Sequence, residues 1–275
     1  MKKFTAEEQI KLRDFTDNVY PQGSFAFSRL LRDRDIRVNG KKTGENILLC
    51  QGDEIVYYTT EKEEQKKFFD VVYEDENIVV ADKYAGVNAE ALAFTLFSAC
   101  GARAVHRLDR NTRGLTVFAK NAAAEQALLD AFRCRRVEKI YEAVCFHPFE
   151  KKAGILTAYL RKDAFAARVC VSAEERKGAD KIVTEYFDAE NRGEFSRVKI
   201  RLHSGKTHQI RAHMAFIGHP VAGDEKYGDE ALNKKYRLKR HILVAKSLSF
   251  SFADTLSYLN GMKFVSAFSA EYPNG

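Results

Sequence analysis

From Phe68 onward the chain is cut into short runs rich in β-branched and aromatic residues, and this pattern constrains the fold more than any other feature. Val71-Val72 and Ile78-Val79-Val80 are divided by an acidic turn, and LTVFAK (115–120), YEAVCF (141–146), ILTAYL (155–160) and RVKIRL (197–202) follow. Such runs read as strands. Many links between them are too short for the crossover helix that parallel neighbours require, so most pairs are expected to be antiparallel. Helical patterning is found at Ala122–Phe132 and Thr207–Ile217, the latter closed by Gly218 where helices commonly end. The expected fold class is α+β, a mainly antiparallel mixed sheet with flanking helices and loops.

The first 60 residues read differently. Ser24–Tyr58 suggests a basic helix, with Leu30 and Leu31 among Arg29, Arg32 and Arg34, followed by short strands around an Asn39-Gly40 hairpin turn. TTEKEEQKK at 59–67 is polar and lacks apolar periodicity, as in a linker. The expected organisation is a small α/β domain over 1–60, a linker over 61–69 and a larger domain over 70–275. A chain of 275 residues accommodates this, since domains typically run to about 100–150 residues.

Composition narrows the function classes. Hydrophobic residues make up 45% and charged ones 30%, an ordinary globular mixture. A net charge of +7 suggests a polyanionic partner. Cys50, Cys100, Cys134, Cys145 and Cys170 are scattered and form no CxxC pair, so neither a zinc site nor a disulfide framework is expected. MKKFTAEEQIKLRDF lacks the apolar core of a signal peptide, and no later stretch approaches the ~18 apolar residues of a membrane span. A cytoplasmic location without a membrane partner is the expectation.

HRLDRNTRG, residues 106–114, sets Asp109 among Arg107, Arg110 and Arg113 and ends in Gly114. It is expected in a loop or irregular strand entering a sheet edge, and loops on a rigid sheet often carry catalytic groups. A carboxylate among cations can serve as nucleophile, base or structural partner, and on these residues alone a structural salt bridge is the simpler reading.

Three further segments bear on it. RVEKIYEAV places Tyr141 at a strand start after the cluster Arg133, Arg135, Arg136 and Lys139. LHSGKTHQIRAH puts Lys206 at the mouth of a helix opening at Thr207, and GHPVAGDEKYG is a glycine-studded loop with Asp224 and Tyr227. In isolation Tyr141 reads as a half-buried core residue and Lys206 as a surface lysine. A metal-dependent nuclease would recruit His203, His208 and His213, but a spacing of five turns ~140° per step on a helix and splays them apart.

HRLDRNTRGLTVFAK, KIYEA, GKTHQIRAH and GHPVAGDEKYG occur in an order that resembles the RluA-type pseudouridine synthase family, from about Val71 to Phe250. SRLLRDRDIRVNG with Gly52-Asp53 resembles an S4-like RNA-binding domain. The resemblance implies an isomerase that converts specific uridines of structured RNA to pseudouridine, on 23S rRNA or alternatively tRNA, with no cofactor or metal. Asp109 then attacks the target uridine while its base is detached, rotated and rejoined through carbon. Tyr141 packs against the base and is a candidate for proton transfer. Lys206, standing where most relatives have arginine, pairs with Asp109.

In the same reading Arg107 holds the flipped nucleotide, His106, Arg110, Arg113 and Arg211 contact substrate, and Arg29, Arg32 and Lys41 bind RNA from the first domain. Arg113 stands where the family usually has serine, and Tyr84 replaces a common proline. Base extrusion costs a few kcal/mol, which stacking on a flat side chain and phosphate contacts offset. The alternative is a catalytically weak or inactive RNA-binding protein on the same scaffold, with salt-sensitive binding and no isomerisation.

Overall fold

The computed structural model describes residues 1–20, 23–58, 68–163, 168–253 and 255–273. Residues 61–67 of the expected linker, and the side chains of 23–26 and Arg29, lie outside the described residues. Internal contacts divide the chain into two units, Met1–Phe69 with Val87–Arg103, and Asp70–Gly86 with Ala104–Gly275.

The first unit carries β1 (Lys2–Thr5), β2 (Ile10–Lys11), α1 (Leu12–Val19), α2 (Gly23–Arg32), β3 (Ile36–Val38), β4 (Lys41–Thr43), β5 (Leu48–Leu49) and β6 (Glu54–Tyr57). Strands β1-β6-β3-β4 form one antiparallel sheet, and β2 pairs with β5. Asn39 (φ +49°) and Gly40 (φ +77°) make the tight turn of the β3–β4 hairpin, where two consecutive left-handed residues match the strand twist. Leu12, Phe15, Leu30, Ile36 and Ile55 pack around Tyr57. The buried Tyr57 hydroxyl meets Thr16 Oγ1 at 2.7 Å, so its polar end is satisfied.

Helix α3 (Ala89–Cys100) belongs to this unit although it lies beyond residue 70. Its sequence is apolar almost throughout, so no amphipathic stripe announced it. Asn88 caps its start by accepting from Glu90 N, and Gly101 (φ +69°) closes it.

The second unit is built on one large sheet. Its elements are β7 (Phe69–Glu74), β8 (Ile78–Lys83), β9 (Arg103–Ala104), β10 (Arg113–Ala119), α4 (Ala122–Arg133), β11 (Val137–Phe146), β12 (Gly154–Asp163), β13 (Arg168–Ser172), β14 (Asp180–Arg192) and β15 (Phe195–Leu202). After them come α5 (Gln209–Phe216), α6 (Glu230–Lys235), β16 (Leu243–Phe250) and β17 (Lys263–Val265). The strand order is β13-β12-β14-β15-β11-β16-β10-β8-β7, with β17 beside β16 and β9 beside β10. The β8–β10, β11–β15, β11–β16, β12–β13, β12–β14, β14–β15 and β16–β17 pairs are antiparallel, and β10–β16 is parallel. Helix α4 buries Ala124, Leu128 and Ala131 against Ile78, Val80, Leu115 and Val117, while α5 buries Ile210 and Met214 against Ala143, Val198 and Ile200.

The loop carrying Asp109 does not enter the sheet at an edge, as the sequence suggested. It feeds β10, which lies inside the sheet between β8 and β16. Gly114 (φ +108°) is required there, because a Cβ would fall 2.3 Å from the Ala245 carbonyl oxygen of the parallel neighbour. No helix among the described residues is long and apolar enough to cross a membrane.

Replacing Gly114 with alanine should destabilise the chain by about 3 kcal/mol, combining backbone strain with a backbone clash. Gly193→Ala, at a φ of +60° with open space around it, should cost only about 1 kcal/mol. Urea unfolding midpoints of the two variants test this; equal losses would remove the clash from the explanation.

Candidate active site

The loop before β10 is pinned from below by its backbone. Lys83, fully buried at the end of β8, donates from Nζ to the carbonyls of Arg110 and Tyr84, each at 3.1 Å. Burial outweighs the field of Asp109 and pushes the lysine down to about 7. Gly86 N donates to Arg110 O at 2.8 Å, and Arg110 Nε returns a bond to Gly86 O at 3.2 Å. Farther along, Thr112 Oγ1 meets Nε2 of His241 at 2.9 Å, a buried ring that burial pushes down to about 4. These bonds fix the backbone that carries the Asp109 carboxylate into the site.

The carboxylate meets a guanidinium. Arg211 Nη1 donates to Asp109 Oδ2 at 2.8 Å. Behind it, Arg211 Nε and Nη2 grip both oxygens of Asp224 at 2.7 and 2.9 Å, in the two-pronged geometry that suits a guanidinium and a carboxylate. Asp224 is 0% exposed and Arg211 8%. Burial works against the Asp224 carboxylate, but the bonds and charge of Arg211 and the amides of Lys226 and Tyr227 hold it below the usual carboxylate range. The two carboxylates more than offset the burial of Arg211 and raise its affinity for its proton. Arg211 therefore remains a fixed cation.

Helix α5 owes this placement to its entry. His208 adopts left-handed backbone (φ +53°) just before the helix, a strained state for a residue with a side chain. Gln209 then accepts from Ser204 Oγ and Lys206 N and donates to Thr184 Oγ1 and Val183 O. Val169 N donates to Tyr227 Oη, so the phenol proton is assigned to His208 Nδ1 at 2.8 Å. The other ring nitrogen of His208 lies 3.8 Å from Asp109 Oδ1. Burial pushes this histidine down more than Asp109 raises it.

Asp109, Arg211 and His208 line a cavity of about 400 Å³ together with Tyr141, Arg107 and Lys139. Tyr141 stands at a bulge of the β11–β16 pair, where the register jumps from Ile140–Ser247 to Tyr141–Ala245. Burial, and then the charge of Asp109, raise its phenol above the ordinary value and keep it protonated.

The pairing expected of Lys206 is corrected by the structure. Its Nζ lies 2.9 Å from Asp180 at the exposed rim, and the cation on Asp109 is Arg211. The physical reason is the left-handed turn at His208: the helix begins at Gln209 rather than Thr207, and Arg211 is the cation its first turn carries into the interior.

The other expected contacts separate. Arg107 is exposed at the cavity. His106 also lines it, but its Nε2 accepts from Val117 N at 3.0 Å and burial pushes it down to about 3, so the ring supplies no charge for RNA. Arg110 turns its Nε to Gly86. Arg113 lies with its guanidinium 5.2 Å from the centre of the Phe268 ring and does not line the cavity.

In the first unit Arg32 pairs with Asp33 at 3.1 Å and Lys41 is exposed on an edge strand, while the Arg29 side chain lies outside the described residues. His203, His208 and His213 bond separately to Glu185, Tyr227 and Thr184. The roles of Asp224, His208 and Lys83 went unread in the sequence. In the sequence Asp224 stood out only as part of the GHPVAGDEKYG loop, and Arg211 only as a substrate contact.

A model of the RNA pseudouridylate synthase family matches residues 77–216, the span from β8 to the end of α5. The chain belongs to that family. An uncharacterized RNA pseudouridine synthase of Mycoplasma pneumoniae is 31% identical over 90% of this chain and 87% of its own. Ribosomal large subunit pseudouridine synthase D of Vibrio cholerae is 32% identical over 75% of this chain and 70% of its own. Human RNA Pseudouridylate Synthase Domain Containing 1 superposes with a TM-score of 0.60 at 25% identity, covering 68% of this chain and 82% of that one. Together these place the chain in the RluA-type branch, as an RNA pseudouridine synthase.

Asp224→Asn would leave Arg211 buried with a weakened partner and should cost about 3 kcal/mol of stability. Because the folded-state carboxyl titrates below its ordinary value of 3.8, the wild-type advantage is full above that pH. It is lost as pH falls through the lower folded value. Unfolding midpoints of both proteins as a function of pH measure this, and the gap between them should close only on the acid side.

Proposed function

We propose that the chain isomerises a uridine of large-subunit ribosomal RNA, with Asp109 as the nucleophile. The observation that carries this reading is the Asp224–Arg211–Asp109 relay at the Tyr141 cavity. A nucleophile must be held within reach of the atom it attacks, and misplacement by ~1 Å can cost ~100-fold in rate. Arg211 provides that positioning because Asp224 leaves its guanidinium no freedom. The cavity's volume of about 400 Å³ falls in the range of small-ligand sites, and the Tyr141 ring supplies a flat surface for an extruded base.

Tyr141 fits a second role. A phenol that stays protonated beside a carboxylate can donate a hydrogen bond or exchange a proton when the base departs and returns. Arg107 at the mouth suits a backbone phosphate of the flipped nucleotide. The choice of large-subunit RNA is supported by the name of the Vibrio cholerae relative. The first unit, with Arg32 and Lys41 exposed, suits an S4-like RNA-binding role.

The test is incubation of the full chain with unmodified large-subunit rRNA and tRNA transcripts, followed by mapping of pseudouridine. Wild type should modify the rRNA at defined uridines and Asp109→Ala at none. Equal activity in the two proteins, or none in wild type, overturns the proposal. Arg211→Lys should slow isomerisation by about 100-fold, since an ammonium cannot grip both carboxylates in one plane. Tyr141→Phe should keep RNA affinity and lose about 100-fold in rate if the hydroxyl takes part in proton transfer.

A further inference from the structure

A second and larger cleft, of about 800 Å³, opens beside the Asp109 cavity and shares Phe132, Lys139, Gly205 and Lys206 with it. It lies between the end of α4, the start of β11 and the end of β15. Its charges are unevenly matched. The acidic lining residue Glu138 is paired with Arg201 at 3.1 Å, and the rim cations Arg133 and Lys206 are paired with Asp130 and Asp180. Arg135, Arg136 and Lys139 also line the cleft, and among the described residues no ion pair joins any of them to a carboxylate. Ser249 and Ser251 add neutral hydroxyls to the wall.

Ordinary structural causes explain part of this. Cations after the last turn of a helix are favoured by its dipole, which accounts for arginines following α4. That cause does not reach Lys139, which is half-buried inside β11. Its ammonium is disfavoured first by burial and then by the charge of Arg135. Its Nζ lies 5.9 Å from the centre of the Phe132 ring. Gly205 leaves the ammonium open to the cleft, since a Cβ there would come within 3.2 Å of Nζ. Arg135 is itself held in left-handed backbone (φ +58°), at the helix end where glycine is usual. A desolvated, unmatched cation at the junction of two cavities is costly to the fold and marks a place where an anion completes the site.

We infer that this cleft is a phosphodiester subsite for the RNA strand flanking the target uridine, with Lys139 as its central contact and Arg135 and Arg136 at its mouth. The inference rests on the isomerase reading of the neighbouring cavity for the direction of the strand. It extends that reading by giving the phosphate next to the flipped nucleotide a binding partner.

The test measures binding rather than turnover. Affinity of the full chain for a short single-stranded oligouridylate is followed by fluorescence anisotropy across a salt series. Each phosphate contact on a single strand contributes ~0.7 to the slope of log affinity against log salt. Lys139→Gln should flatten the slope by ~0.7, Lys139→Arg should keep it, and Arg135→Gln with Arg136→Gln should flatten it further. Lys139→Gln should melt at or above the wild-type temperature, because it removes a desolvated cation.

A Lys139→Gln protein with the wild-type slope overturns the subsite, as does one that loses slope only together with a lowered melting temperature. The two readings fail separately. A Lys139-dependent slope without pseudouridine formation keeps the subsite and removes the isomerase, whereas isomerisation with an unchanged slope does the reverse.

Discussion

The Arg211 guanidinium is the constraint on which the rest of the site depends. Burying a charge is tolerable only when it is paired and hydrogen-bonded, and Arg211 meets that condition by bonding Asp224 through two nitrogens and Asp109 through the third. Asp224 is fixed in turn by backbone amides of the loop that carries it. That loop closes tightly at Gly223 (φ +81°), where a side chain would collide with the Arg240 carbonyl. The position of the Asp109 oxygen is thus transmitted from the backbone of a distant loop through one planar group. An ammonium on the same stem could not transmit it, having no fixed plane.

The centre of the sheet contributes the second part of the geometry. Ala245 on β16 lies opposite Gly114 on one side and Tyr141 on the other. The first pairing is parallel and so close that only glycine fits, and the second sits at a bulge. One short row across three strands therefore sets the strand that follows the Asp109 loop and the tyrosine of the cavity in a fixed relation. A site on interior strands is held more rigidly than one at a sheet margin, where unpaired backbone can shift.

Much of this was legible from local pattern. The runs at 141–146, 155–160 and 197–202 lie within β11, β12 and β15, because alternation and β-branching are properties of each segment. The hairpin at Asn39-Gly40 was legible for the same reason. Helix α3 was not, since an apolar stretch has no periodicity to distinguish helix from strand. The partner of Asp109 was not either. Lys206 and Arg211 are both cations near a helix start, and spacing alone gives no preference between them. The left-handed residue at His208 shifts the helix start by two positions, and that shift follows from contacts of His208 and Gln209 with residues far away in sequence.

The sequence by itself determined the fold class and the antiparallel character of most of the sheet, because these follow from local periodicity and from link lengths, whereas the segments that meet at the site were implied by the resemblance of their ordered motifs to a family. Only the tertiary structure decided that β10 is interior, that Lys206 faces Asp180 and that Arg211 joins Asp109 to Asp224. Those outcomes depend on which charges are removed from water together. That is a property of the packed chain: a cation left at the rim can pair weakly, whereas one drawn inside must be paired with carboxylates to offset its loss of water.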